Sequence, residues 1–159
     1  MAEGSGIEIH QYQSSDLEGV KNLNSKAIEE FGDSFRRPTF PDLDQIENTY
    51  LNNNGDFLVA TNEGKVIGMG ALMKVSDDKA EVKRMRVSPD SQRQGLGKAI
   101  LDRLEQRAKE LGYKTLELDT SINQPAAQEF YMKNGYVEVR REGPEQGWPV
   151  DTIFYEKSL

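Results

Sequence analysis

Residues 82–111 read VKRMRVSPDSQRQGLGKAILDRLEQRAKEL, and this stretch constrains the chain more than any other. An apolar and β-branched run ends at Val87, where Ser88-Pro89-Asp90 breaks it. Apolar residues then fall at Leu96, Ala99, Ile100, Leu104, Ala108 and Leu111, which is helical spacing with one buried face. Gly112 stands where a helix C-cap glycine belongs. The stretch is strand, turn and helix, with Gly95 and Gly97 packed into the first helical turn.

Glycines at that place have a physical use. The first amides of a helix lack intrahelical partners and carry the positive end of its dipole. With no side chains at Gly95 and Gly97, a ligand phosphate can descend onto the backbone N–H groups, and Arg93 and Lys98 flank it as cations. Two common phosphate loops are excluded. A Walker loop needs Ser or Thr after Gly-Lys, but Ala99 follows Lys98, and Gln92 stands where the first glycine would. A dinucleotide fingerprint needs Gly or Ala at position 100, which is Ile100.

The pattern Q/R-x-x-G-x-G/A between a strand and a long amphipathic helix resembles the acetyl-CoA loop of the GNAT superfamily of N-acetyltransferases. Gln92, Gly95 and Gly97 fill its defined places, and Arg93, Gln94, Leu96 and Lys98 complete the loop. Further on, Asn123-Gln124-Pro125-Ala126-Ala127-Gln128-Glu129-Phe130-Tyr131 runs into Met132-Lys133-Asn134-Gly135-Tyr136. This is similar to the family's second signature, N/Q-x-x-A-x-x-x-Y-x-K-x-G-F/Y. The likeness covers most of the chain from Ile7 onward.

The rest of the chain gives the element order that the resemblance implies. Residues 7–12 alternate as a first strand. Ser15-Asp16-Leu17-Glu18 reads as a capping box, opening a helix that Gly32 stops. A Pro-broken link over 36–41 leads to a short helix with Leu43, Ile46 and Tyr50. Strands are expected at 57–61, 66–75 and 80–87, with Asn62-Glu63-Gly64-Lys65 as a hairpin turn. A strand at 114–120, a helix at 124–133 and strands at 136–140 and 152–157 complete the order. Strand, helix and strand around 82–120 imply a parallel crossover. The expected fold is α/β: a mixed, mostly antiparallel seven-stranded sheet flanked by helices, in a single domain over 7–159. Residues 1–6, small and polar, are expected to be a loose end.

Composition narrows the function classes. A net charge of −7 over 159 residues argues against general nucleic-acid binding. Residues 82–109 carry eight basic and three acidic side chains, so this segment is +5 and the remainder −12. Such an island suits a polyanionic cofactor. There is no cysteine and one histidine, so neither a thiolate nor a His-rich metal site is expected. No apolar run reaches membrane-spanning length and no signal peptide is visible, so the expected location is cytoplasmic.

The resemblance implies the chemistry: a primary amine of a small molecule or peptide attacks the thioester of acetyl-CoA directly, with no metal. An alkyl ammonium has a pKa of about 10, so a proton must leave before or during attack, and the departing thiolate is helped by one. By its place in the second motif, Tyr131 is the candidate acid. Glu81 is the candidate base, matching the glutamate of the histone-acetyltransferase branch; relatives without one use a water chain. Met85, Arg86 and Val87 lie where the family's fourth strand bends at a bulge, and backbone groups there are implied to bind pantetheine and polarise the acetyl carbonyl. Either Asn123 or Gln124 is the pantetheine contact. His10 is expected to be structural, and Trp148 either lines the acceptor pocket or packs. The competing function is an acyl-CoA-binding sensor or interaction domain without catalysis. Neither the acceptor nor the choice between monomer and homodimer is encoded in any motif.

Overall fold

The computed structural model describes residues 6–31 and 41–159. Residues 1–5 of the loose end expected at 1–6, the helix stop at Gly32 and residues 36–40 of the link expected over 36–41 lie outside the described residues.

Seven strands form one sheet in the order β1-β2-β3-β4-β5-β7-β6. They are β1 (Ile7–Gln11), β2 (Asp56–Asn62), β3 (Lys65–Lys74), β4 (Lys79–Val87), β5 (Thr115–Ser121), β6 (Val137–Glu142) and β7 (Thr152–Ser158). All neighbours are antiparallel except β4 and β5. The helices are α1 (Leu17–Phe31), α2 (Leu96–Glu110) and α3 (Pro125–Lys133), with short turns at Pro41–Asp44 and Glu47–Leu51. The expected α/β architecture is thus present, with strand limits within two residues of those read from the sequence.

Period-2 alternation fills both faces of the sheet. On β2, Leu58 and Ala60 pack toward α2 with Leu96, Ile100, Leu101 and Leu104. Phe57 and Val59 pack the other way, with Val20, Leu23 and Tyr50. The central strands are therefore apolar on both sides, which is why β2 and β3 read as near-continuous runs.

The first helix starts differently from the expected box. The Asp16 carboxylate accepts the Gln13 N–H at 2.9 Å, and the His10 Nε2 lies 2.9 Å from the same oxygen. Glu18 is exposed. A short acid two residues nearer the N-terminus takes the role given to Glu18, and it ties β1 to α1 through His10, the structural role expected of that histidine.

Two features of β4 position the site. Its pairing with β5 covers only Lys79↔Thr115, Ala80↔Leu116 and Glu81↔Glu117. Its pairing with β3 shifts between Met69↔Arg86 and Ala71↔Lys83, so β4 carries an extra residue there. Arg84 takes up that residue with φ of 57°, a left-handed conformation rare for a side chain of its size. Opposite it, Gly70 leaves room for α2: a Cβ there would stand 2.6 Å from Met85 Sδ and 2.7 Å from Ile100 Cγ2.

Candidate active site

Where β4 leaves β5, a cleft of about 510 Å³ opens between the strands. Its walls come from 81–87 of β4, the end of β5, the start of α3, Ala27 and Ile28 of α1, and the late loop at Trp148. Beyond Glu81 the edge of β4 that faces β5 has no strand beside it. Its backbone groups there are open to an extended ligand arm, as an edge strand's are.

The glycine loop adjoins the cleft through Gln92. Gly95 caps α2 with φ of 82°, and no atom lies within 4 Å of where its Cβ would be. Arg93 also has positive φ, 62°. The first backbone bond of α2 runs from Ala99 N–H to the Gly95 carbonyl at 3.0 Å, so the amides of Leu96, Gly97 and Lys98 precede the helical ladder. A Cβ on Gly97 would make ordinary contacts with Phe130 and Val87, at 3.7 and 3.8 Å. Gln92 lines the cleft, and its side-chain amide donates to the Val87 carbonyl at 3.0 Å, fastening the loop to β4. These residues fit a diphosphate: open space, amides with no partner among the described residues and a helix dipole converge there.

The basic island contributes less than its charge count implied. Lys98 is ion-paired with Asp102 at 3.1 Å, and Arg84 with Asp42 at 2.7 Å. Arg107 pairs with Glu110 at 3.4 Å, and Arg103 donates to the Ile9 carbonyl at 2.8 Å. Much of that charge holds the fold together.

Glu81 and Tyr131 both line the cleft. Burial pushes the Glu81 carboxyl up to about 7; Asp119 and Glu117 add to this, while Lys83 and Arg84 oppose it. Burial also raises the Tyr131 phenol well above its ordinary 10, with Arg86 opposing and Asp119 assisting. Tyr131 is 8% exposed and stacks edge-to-face on Phe130 and Tyr136, with centroids at 5.1 and 5.7 Å. No hydrogen bond among the described residues engages its hydroxyl. The site thus holds a carboxyl that titrates near neutrality and a phenol that keeps its proton, the two halves of acid–base work.

Met85, Arg86 and Val87 line the cleft just past the bulge, whose left-handed residue is Arg84. Gln124 also lines it, with its side-chain oxygen accepting the Ser121 N–H at 3.1 Å. Asn123 is exposed and lies outside the lining. Trp148 both lines the cleft and packs: its Nε1–H donates to Glu142 at 2.9 Å, and its ring meets Phe154 edge-on at 5.4 Å. Sequence reasoning missed Asp119, which faces the cleft from β5, and Arg84 with its partner Asp42. The acidic alternation of KTLELDT was the one signal for Asp119; 42 residues separate Asp42 from Arg84, and no local pattern links them. Among the described residues no cluster of three or more His, Asp or Glu could hold a metal, and no helix is long and apolar enough to cross a membrane.

Comparison with known proteins gives consistent matches. The chain is 35% identical over 104 residues to an IAA acetyltransferase of Azospirillum brasilense, covering 65% of this chain and 67% of that protein. It is 34% identical over 101 residues to human N-acetyltransferase 8, covering 60% of this chain and 44% of that longer protein. A GNAT-family acetyltransferase of Staphylococcus aureus superposes with a TM-score of 0.85 at 30% identity, over 96% of this chain and 99% of that one. A GNAT-family acetyltransferase of Elizabethkingia anophelis, solved with acetyl-CoA bound, shares the fold, with a TM-score of 0.67 at 20% identity over 97% and 99% of the two chains. The Acetyltransferase (GNAT) family profile matches residues 20–136. With the split between β4 and β5, the glycine loop on α2 and this match over most of its length, the chain belongs to the acetyltransferase (GNAT) family.

Proposed function

We propose that the protein transfers the acetyl group of acetyl-CoA directly to a primary amine, with Glu81 as base and Tyr131 as acid. The observation that carries this reading is the cleft itself. Supporting it, a carboxyl pushed up to about 7 and a buried phenol line the gap where β4 leaves β5, and Gln92 of the glycine loop lines it too.

The diphosphate is held by the amides of Leu96, Gly97 and Lys98, with Gln92, Arg93, Gln94 and Gly95 shaping the loop. The backbone of 85–87 and the side chain of Gln124 or Asn123 receive the pantetheine arm. Glu81, directly or through water, takes a proton from the incoming ammonium; a base near neutral pKa does this best at neutral pH. The amine nitrogen bonds to the thioester carbon, whose oxygen is polarised by a β4 backbone N–H. The C–S bond then breaks, the Tyr131 hydroxyl gives its proton to the sulfur, and the second proton lost by the nitrogen restores the phenol. The products are an N-acetyl amide, CoA thiol and one proton. Holding amine and thioester together contributes as much as the proton transfers.

The test is release of free thiol from acetyl-CoA with a panel of amines. Turnover that falls at least about 100-fold in Glu81→Gln and Tyr131→Phe is the expected result. Saturable acetyl-CoA binding with no turnover on any amine would replace this reading with a sensor.

A further inference from the structure

Cross-strand register sorts the side chains of β4 by face. Ala80, Val82, Met85 and Val87 pack in the cluster built on α2. Glu81 pairs with Met73 and Arg86 with Met69, and both methionines belong to the cluster on the α1 side. Glu81 and Arg86 therefore share a face, the one that Ala27 and Ile28 of α1 border. An amine that meets Glu81 approaches on that face, away from the α2 amides.

Among the described residues Arg86 has no ion-pair partner. Its Nη1 donates to the Met85 carbonyl at 3.3 Å, but its Nε is closed to solvent and has no hydrogen-bond partner among the described residues. Burial and the like charge of Arg84 push its pKa down to about 10. The Tyr131 oxygen acts the other way, yet that phenol stays protonated at ordinary pH. A desolvated donor without a partner costs free energy unless a ligand supplies one. A guanidinium fork fits a planar carboxylate best. At roughly 3.3 Å per residue, Glu81 and Arg86 have Cα atoms about 15 Å apart. They are too distant to neutralise each other, and both line the same cleft, so one acceptor can meet the two.

We propose that Arg86 anchors a carboxylate carried by the acceptor, so that the substrate is an amino-acid-like amine with its nitrogen toward Glu81 and its carboxylate on the guanidinium. This rests on the acetyl-transfer reading above and narrows it. Lys83 lies on the same face between the two, nearer Glu81, and Asp119 faces the cleft from β5.

The twenty L-amino acids and their carboxamides, assayed as acceptors by thiol release, test it. In the wild-type protein the best acids should exceed their amides by about 100-fold or more in kcat/KM. Arg86→Gln should bring that ratio toward one, chiefly through KM for the acid and far less through KM for acetyl-CoA. Arg86→Lys should restore part of the preference. Amides accepted as well as acids by the wild type, or an Arg86→Gln effect centred on acetyl-CoA, would overturn the assignment. Calorimetric titration of the same acids into CoA-loaded protein separates the two readings. Binding that Arg86→Gln abolishes, with no turnover, keeps the anchor while acetyl transfer fails; acids that neither bind nor react overturn the anchor.

Discussion

The Arg84 guanidinium grips the Asp42 carboxylate through two hydrogen bonds, Nε at 2.8 Å and Nη2 at 2.7 Å, and the Tyr50 hydroxyl donates to the same carboxylate at 2.7 Å. This clamp holds the residue whose left-handed backbone makes the β4 bulge. A non-glycine residue in that conformation costs about 1–2 kcal/mol, so its neighbours must enforce it.

Asp42→Asn should therefore loosen the bulge as well as the fold. Breaking a largely buried ion pair by removing one partner costs about 3–5 kcal/mol, visible by denaturant unfolding. Because the bulge aims 85–87 into the cleft, kcat should fall more than acetyl-CoA affinity. Burial acts to raise the Asp42 pKa, but the Arg84 and Tyr50 hydrogen bonds and the nearby positive charge outweigh it and hold it below 3.8. A depressed carboxyl stabilises above its unfolded value and loses that effect as pH falls through the folded one. The gap in Tm between the wild type and Asp42→Asn should be constant from pH 8 to pH 5 and close only below about pH 4. A gap that closes already near pH 6 would contradict this.

Glu81 has the opposite sign. Its carboxyl is raised from 4.5 to about 7, so between those values the native state binds the proton that the unfolded chain has released. Stability should fall as pH rises through that window, by up to roughly 3 kcal/mol. Glu81→Gln should be more stable than the wild type at pH 8 and equal to it at pH 4. In activity the sign reverses: kcat/KM should rise with pH to a break near 7 that Glu81→Gln lacks. Thermal melts and pH–rate profiles read both effects.

Tyr131→Phe should cost activity and little stability. The hydroxyl has no hydrogen bond to lose among the described residues, while the ring stays stacked between Phe130 and Tyr136. Stability should change by less than about 1 kcal/mol, with kcat down about 100-fold or more. An acetyl ester of a thiophenol, whose thiolate leaves unprotonated, should recover much of the rate. A defect equal for both thioesters would remove Tyr131 as the acid.

Two glycines should respond differently. Gly70→Ala drives a Cβ into Met85 and Ile100, at 2.6 and 2.7 Å, and should cost about 1–3 kcal/mol through overpacking. Gly95→Ala meets open space but demands φ of 82° of a side chain, costing about 1–2 kcal/mol. It also puts a methyl group beside the amides, so acetyl-CoA affinity should drop about 10-fold. Gly95→Asn should be milder in stability because asparagine tolerates that conformation.

The sheet was legible because strands buried on both faces leave unmistakable apolar runs, as at 57–61 and 66–75. The glycine loop was legible because a positive φ at Gly95 and a bare first helical turn need glycine. What stayed hidden depends on register and distance. The capping box moved from Ser15 and Glu18 to Gln13 and Asp16, since several nearby acids and hydroxyls can serve as caps. The bulge residue is Arg84, and only pairing with Met69 and Ala71 reveals it. The Arg86 orphan is invisible in a segment dense with basic residues, where sequence counts charges without showing which are matched.

Titration of 15N-labelled protein with acetyl-CoA, followed by amide shifts, tests the central claim most directly. Saturable shifts concentrated at 92–98 and along 84–87, with Gln124 moving in step, are expected. Shifts that cluster elsewhere, or an unchanged spectrum at millimolar ligand, would contradict a diphosphate held by the first turn of α2 and the acetyl transfer built on it.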